Sequence, residues 1–224
     1  MTGEAVQSVG ASQTAGAPRA LTKAEYLADA VINVFGVAFA IAGAAWLLTH
    51  VAHVHSSWPI AVYCAALIAM LVASAAYNAA RETYRYKEAL RRIDHAMIYV
   101  KIAGTYTPFV LERLAPPIGL IVFCAVWIMA ALGVATKLIF PERNERLSVI
   151  LYIAMGWTAI LVVMPLFSAL HHEVFWLLVT GGIVYSAGAP FHLLQSMSFN
   201  KVIWHAFVLV ATIIQFIAIA IEVA

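Results

Sequence analysis

Long apolar runs alternate with short polar loops along the chain. Seven runs stand out: 28–50, 58–78, 95–112, 117–136, 147–168, 174–191 and 202–222. Each is near the roughly 20 residues that an α-helix needs to cross a bilayer. The third and sixth are short and carry glycine, so their ends are soft. Only Lys101 interrupts a run centrally. The pattern predicts an all-α polytopic membrane protein, with one seven-helix bundle over residues 23–224. No internal repeat is visible. Residues 1–22 are mostly Gly, Ala, Ser, Thr and Gln, which predicts a disordered tail. No short apolar core precedes a cleavage site there, so the first run is expected to span and stay.

Composition agrees with this class. Of 224 residues, 64% are hydrophobic and 11% charged, and the mean hydropathy is +0.91. A soluble domain carries about a quarter charged residues. Charge then sets orientation. With the N-terminus inside, the cytoplasmic loops hold Arg19, Lys23, Arg81, Arg85, Lys87, Arg91, Arg92, Lys137, Arg143, Arg146 and Lys201, against Arg113 alone outside. Short loops rich in Lys and Arg stay in the cytoplasm. The expected topology is therefore N-terminus cytoplasmic and C-terminus outside, in a bacterial inner membrane. The pI of about 8.6 calls for no nucleic-acid partner, because basic loops of this kind face anionic lipid heads. Cys64 and Cys124 fall inside apolar runs and read as packing residues rather than a disulfide.

The polar residues inside the runs gather at one depth. Glu25, Asp29 and Asn33 are spaced i, i+4, i+8 entering the first helix. Ser74 and Asn78 share a face at the cytoplasmic end of the second. Asp94 opens the third, and Lys201 and His205 open the seventh. Each has an ordinary structural account: a cap, an interhelical hydrogen bond, a snorkelling cation. Together they predict a polar pocket of Asp29, Asn33, Ser74, Asn78, Asp94, Lys101, Lys201 and His205. Ionisable groups at membrane depth are expensive and mark functional sites by default. Lys101 lies seven residues after Asp94, about 10 Å along the axis. Direct contact between them is not expected, and a water or another helix would complete the link. A Lys101 held neutral by burial is the competing state. Thr105-Tyr106-Thr107-Pro108 predicts a kinked or ending helix with hydroxyls patching the backbone. Gly181, Gly182 and Gly188 predict close helix packing.

Five segments carry a resemblance: Ser74-Ala75-Ala76-Tyr77-Asn78, RRIDHAMIYVKIAGTYTPF (91–109), LYIAMGW (151–157), TGGIVYSAGAPFH (180–192) and IWHAFVLVATIIQF (203–216). The chain resembles the bacterial hemolysin III proteins, which belong with the progestin and adipoQ receptors. The resemblance spans residues 25–216 and implies the same seven-helix, N-terminus-inside fold. It also implies zinc near the cytoplasmic face. The expected ligands are a His four residues after a Ser in helix two and a His-x-x-x-His pair in helix seven. Ser74 and Asp94 match the Ser and Asp thought to position water, and would be the catalytic pair of a hydrolase. His205 matches one ligand. Asn78 and Lys201 stand at the other two, and Asp29 and Asn33 stand where the family often shows Asn and His.

Zinc wants nitrogen, sulfur or carboxylate donors, usually three from protein. Asn is a poor ligand and protonated Lys is none. The expectation is a degenerate site without stoichiometric zinc, in which Lys101 or Lys201 supplies the positive charge and holds Asp94 ionised. Zinc through His205 is the weaker alternative. A second metal site, from His50, His53 and His55 with His171, His172 and Glu173, has no diagnostic spacing.

Three functions are weighed. The first is a non-enzymatic protein of membrane homeostasis or lipid sensing, with membrane lipid as partner. The second is a ceramidase-like lipid amide hydrolase, which would need a metal to activate water or Ser74 with His205 or Lys101 as base. The third is a haemolytic or pore-forming protein. No helix is polar along its length, which argues against a pore within one chain, while self-association into one stays open. A retinal protein is excluded because helix seven has no central Lys.

Overall fold

The computed structural model describes residues 21–51, 57–81, 83–140 and 145–223. Most of the expected tail, residues 1–20, lies outside that set. Among the described residues the protein is all helical. The elements are α1 (Lys23–Val51), α2 (Ser57–Ala79), α3 (Lys87–Glu112), α4 (Ile118–Ile139), α5 (Glu145–Gly156), a 3₁₀ segment (Trp157–Val162), α6 (Val163–Ala169), α7 (His172–Leu193) and α8 (Asn200–Val223). Six helical stretches are long and apolar enough to cross a membrane, with α5, the 3₁₀ segment and α6 counting as one 25-residue stretch. At 26 residues α3 has the length. Its charges at Lys87, Glu88, Arg91, Arg92, Asp94 and Lys101 keep it below that apolarity.

The helices form an incomplete ring. α1 lies between α2 and α8, α3 lies between α2 and α4, and α7 packs along α8. α5 touches α3, α4 and α7 only lightly, so the α5–α6 stretch closes the ring loosely. The core runs through α1, α2, α3 and α4, with Leu47, Tyr63, Leu67, Val110 and Val126 at its centre. The outer surface is apolar too: Leu161 is 83% exposed and Met164 73%. Water would not tolerate so wide an apolar surface, and a bilayer solvates it.

Close packing uses small residues, as the glycines predict. A Cβ at Gly188 would sit 2.5 Å from Phe207 Cβ, so α7 and α8 meet backbone to side chain. At Gly104 the added Cβ would lie 2.6 Å from Ala66 Cβ on α2. The Thr105–Pro108 stretch does not end α3, which continues to Glu112. Pro108 cannot donate to the carbonyl four residues back. Thr105 Oγ1 donates to Lys101 O and Thr107 Oγ1 to Ala103 O, both at 2.9 Å, patching the turn before it.

The start of α1 has a capping box. Glu25 N donates to Thr22 Oγ1 at 3.2 Å, and Thr22 N donates to Glu25 Oε2 at 2.7 Å. The other carboxylate oxygen accepts from Phe199 N at 2.7 Å, tying α1 to the α7–α8 loop. Phe199 has φ 58°, which a non-glycine residue holds only when its surroundings fix it. Glu25→Ala keeps the Thr22 cap but removes the carboxylate half of the capping box and the tie together. It is expected to cost about 1–3 kcal/mol, seen as a lower thermal-unfolding midpoint in detergent. An unchanged midpoint would mean the tie contributes nothing.

Candidate functional site

A cavity of about 1030 Å³ runs inside the ring, walled by α1, α2, α3, α5, the 3₁₀ segment, α6, α7 and α8. The structure places Asp29, Asn33, Ser74, Asn78, Asp94, Lys101, Lys201 and His205 all on its wall. Helix spacing explains this: residues four apart share a face, and these faces turn inward.

The cavity is polar at one end. Asp29 Oδ1 lies 2.5 Å from His205 Nδ1, which joins α1 to α8. Asn33 Nδ2 donates to Asp29 O at 2.9 Å and to Asp29 Oδ2 at 3.3 Å. Asn78 Nδ2 donates to Ser74 O at 2.9 Å and to Ser74 Oγ at 3.3 Å. Asp94 Oδ2 is 3.5 Å from His95 Nδ1, and that nitrogen is 2.8 Å from Arg91 O. A carbonyl can only accept, so His95 Nδ1 is the donor of this bond. Lys201 Nζ sits 5.6 Å from the centre of the Tyr77 ring, and Lys87 Nζ 4.4 Å from it. Such cation–ring contacts are worth about 0.5–2 kcal/mol.

Lys101 sits deeper, at mid-helix. Its Nζ donates to Gln215 Oε1 on α8 and lies 4.8 Å from the centre of the Tyr185 ring on α7. No direct contact joins Lys101 to Asp94, as their seven-residue spacing predicts. Among the described residues no ion pair joins Asp94 to Lys101 or Lys201, and its charged-group neighbour is His95. The reason is directional: both side chains lean toward the start of α3, which keeps Lys101 a turn and more behind Asp94.

Beyond Lys101 the wall turns apolar, with Phe109, Leu166, Leu170, Phe175 and Leu178. The 3₁₀ segment is pinned across this cavity. Tyr106 Oη donates to Gly156 O at 2.7 Å and accepts from Ala159 N at 2.8 Å. Trp157 Nε1 donates to Ser186 Oγ at 3.0 Å.

Zinc does not fit these residues. Asn78 spends its amide donors within α2, and Lys201 brings a cation to a place that would need a donor lone pair. Among the described residues no three His, Cys, Asp or Glu side chains are grouped closely enough to hold a metal ion. The rival histidines are described only in part. His50 Nδ1 faces Trp46 O at 2.8 Å, His172 stacks on Phe167, and His53 and His55 lie outside the described residues. Ser74 Oγ meets Asn78, and no hydrogen bond joins it to His205 or Lys101 among the described residues.

The sequence reading missed Gln215, Tyr185 and His192. His192 stands 5.6 Å from the His95 ring and 5.3 Å from the Trp204 ring, measured between centroids. Gln215 carried a signal, as the one amide inside the apolar run 202–222. Tyr185 and His192 carried none, since their faces depend on how α7 rotates against α8.

An all-helical membrane protein with an internal cavity, polar at one end and apolar along the rest, is the class that this architecture defines. Its family is Haemolysin-III related, matched over residues 28–216, and the chain belongs to it. It is 35% identical to the Hemolysin-3 homolog of Bacillus subtilis over 188 residues, 83% of this chain and 88% of that one. It is 42% identical to Hemolysin-3 of Bacillus cereus over 127 residues, 57% of this chain and 58% of that one. The human monocyte to macrophage differentiation factor is 28% identical over 141 residues, 59% of this chain and 58% of that one. No solved structure matches.

Proposed function

We propose that this protein binds a membrane lipid in its central cavity and acts in membrane homeostasis or lipid sensing, without catalysis. One observation carries the reading: a cavity of about 1030 Å³ that is polar at one end and apolar along the rest. That polarity matches an amphiphile lying along the bundle, and the volume is at the upper end of known ligand pockets, roughly 300–1,000 Å³. The degenerate metal position supports it. Asn78 and Lys201 stand where the resemblance expects two zinc ligands, and hydrolysis by an activated water would need that metal.

In this reading α3 is the seventh span, its charged first turns at the cytoplasmic headgroups and Lys101 turned inward. The N-terminus is cytoplasmic and the C-terminus outside, in a bacterial inner membrane, on the strength of the basic loops. The test is lipid extraction and elemental analysis of the protein purified in a mild detergent. Lipid is expected at about one per cavity by mass balance, with zinc at background. Ser74→Ala and Asp94→Asn are expected to keep the membrane phenotype of wild type. Loss of that phenotype in both, with the fold intact, would overturn the non-catalytic reading.

A further inference from the structure

Lys101 is 2% exposed, yet every partner it has is neutral. Its ammonium donates to Gln215 Oε1 and lies over the Tyr185 ring. The Tyr185 hydroxyl is already committed to Thr212 Oγ1 at 2.8 Å. The acids on the cavity wall are committed too: Asp29 to His205, Asp94 beside His95, and Glu145 to Arg91 and Gln195. No ion pair reaches Lys101 among the described residues. An ammonium has three donors, and Gln215 takes one. A buried cation without a counter-ion is costly, and such groups in membranes normally find a partner. Gln215 spends its carbonyl on Lys101, and its Nε2 donors are left for something else.

Two donors, one of them cationic, therefore meet at the boundary of the polar and apolar halves. Their complement is a group with two acceptor oxygens and one negative charge. Behind it the wall offers Phe109, Val110, Leu166, Leu170, Phe175 and Leu178, all apolar. We propose that Lys101 and Gln215 form the headgroup subsite for a single-chain carboxylate amphiphile whose tail lies in this apolar half. The proposal rests on the lipid-binding reading above and names the chemistry of its ligand. It also explains why α3 carries a charge at mid-membrane: the ligand's carboxylate supplies the missing counter-ion.

The test compares two probes that share a chain and differ in charge, laurate and dodecanol. Each is titrated into the full-length protein in an uncharged maltoside detergent and followed by native mass spectrometry or calorimetry. Laurate is expected to bind at least about tenfold more tightly, the value of one charge-assisted hydrogen bond. Lys101→Met keeps the shape of the stem and is expected to erase that preference while leaving dodecanol unchanged. Gln215→Leu is expected to narrow it. Equal binding of the two probes to wild type would overturn the subsite, and that comparison needs no variant. A laurate preference that survives in well-folded Lys101→Met would overturn it as well. Failure of both probes, while lipid still co-purifies, overturns the subsite alone. Failure of both with no co-purified lipid overturns the lipid-binding reading beneath it.

Discussion

Arg113→Met is expected to be among the most destabilising single changes at the far end of the bundle, at about 3–5 kcal/mol. Arg113 follows α3 and meets the last turn of α8. Its Nε lies 2.5 Å from Glu222 Oε1, and its Nη2 donates to Glu222 O at 2.7 Å. One side chain thus neutralises a buried carboxylate and caps a helix C-terminus, where cations are favoured. The Glu222 side chain is 5% exposed, so without Arg113 it keeps a charge with little water to solvate it. The remaining neighbour, His171 Nδ1 at 3.5 Å, is itself 70% exposed and a weak substitute. The double change Arg113→Met with Glu222→Leu removes both charges and is expected to recover most of the loss, since apolar replacement of a whole buried pair is often neutral. Unfolding midpoints of wild type, both single variants and the double variant in one detergent check this. A double variant no better than Arg113→Met would show that the cost lies elsewhere.

Gly104→Leu is expected to separate α2 from α3. Even the first added atom would meet Ala66 Cβ at 2.6 Å, with Tyr63 Cα at 3.7 Å behind it. Ala66 has no rotamer through which to yield, so the helices themselves must shift. Overpacking of this kind costs about 1–3 kcal/mol and sometimes more. α3 also carries Asp94, His95, Lys101 and Tyr106, so its displacement disturbs the whole cavity wall. The expected result is a lower yield of folded protein and loss of bound lipid from what remains. Gly156→Ala is the control, because nothing lies within 4 Å of its added Cβ. Equal behaviour of the two variants would remove the packing argument.

The helices were legible because burial in lipid leaves long apolar runs that no other structure explains. The convergence of Asp29, Ser74, Asp94, Lys201 and His205 on one cavity was legible as well, through i, i+4 spacing and loop charge. Partner choice was not. His205 pairs with Asp29 across 176 positions of sequence, and Lys101 meets Gln215 across 114, which only the rotation of α8 against α1 and α3 decides. The break in the fifth apolar run was also hidden. IAMGWTAILVV is apolar but for Thr158, and its 3₁₀ turn begins just after Gly156, a poor helix former, where Tyr106 grips the backbone of Gly156 and Ala159.

That 3₁₀ turn alters the reach of the fifth stretch. A residue rises about 2.0 Å in a 3₁₀ helix and about 1.5 Å in an α-helix. Six residues wound the tighter way make the stretch about 3 Å longer than an unbroken α-helix of the same residues. The least tightly packed member of the ring therefore gains reach on the scale by which membranes differ in thickness, a few Å.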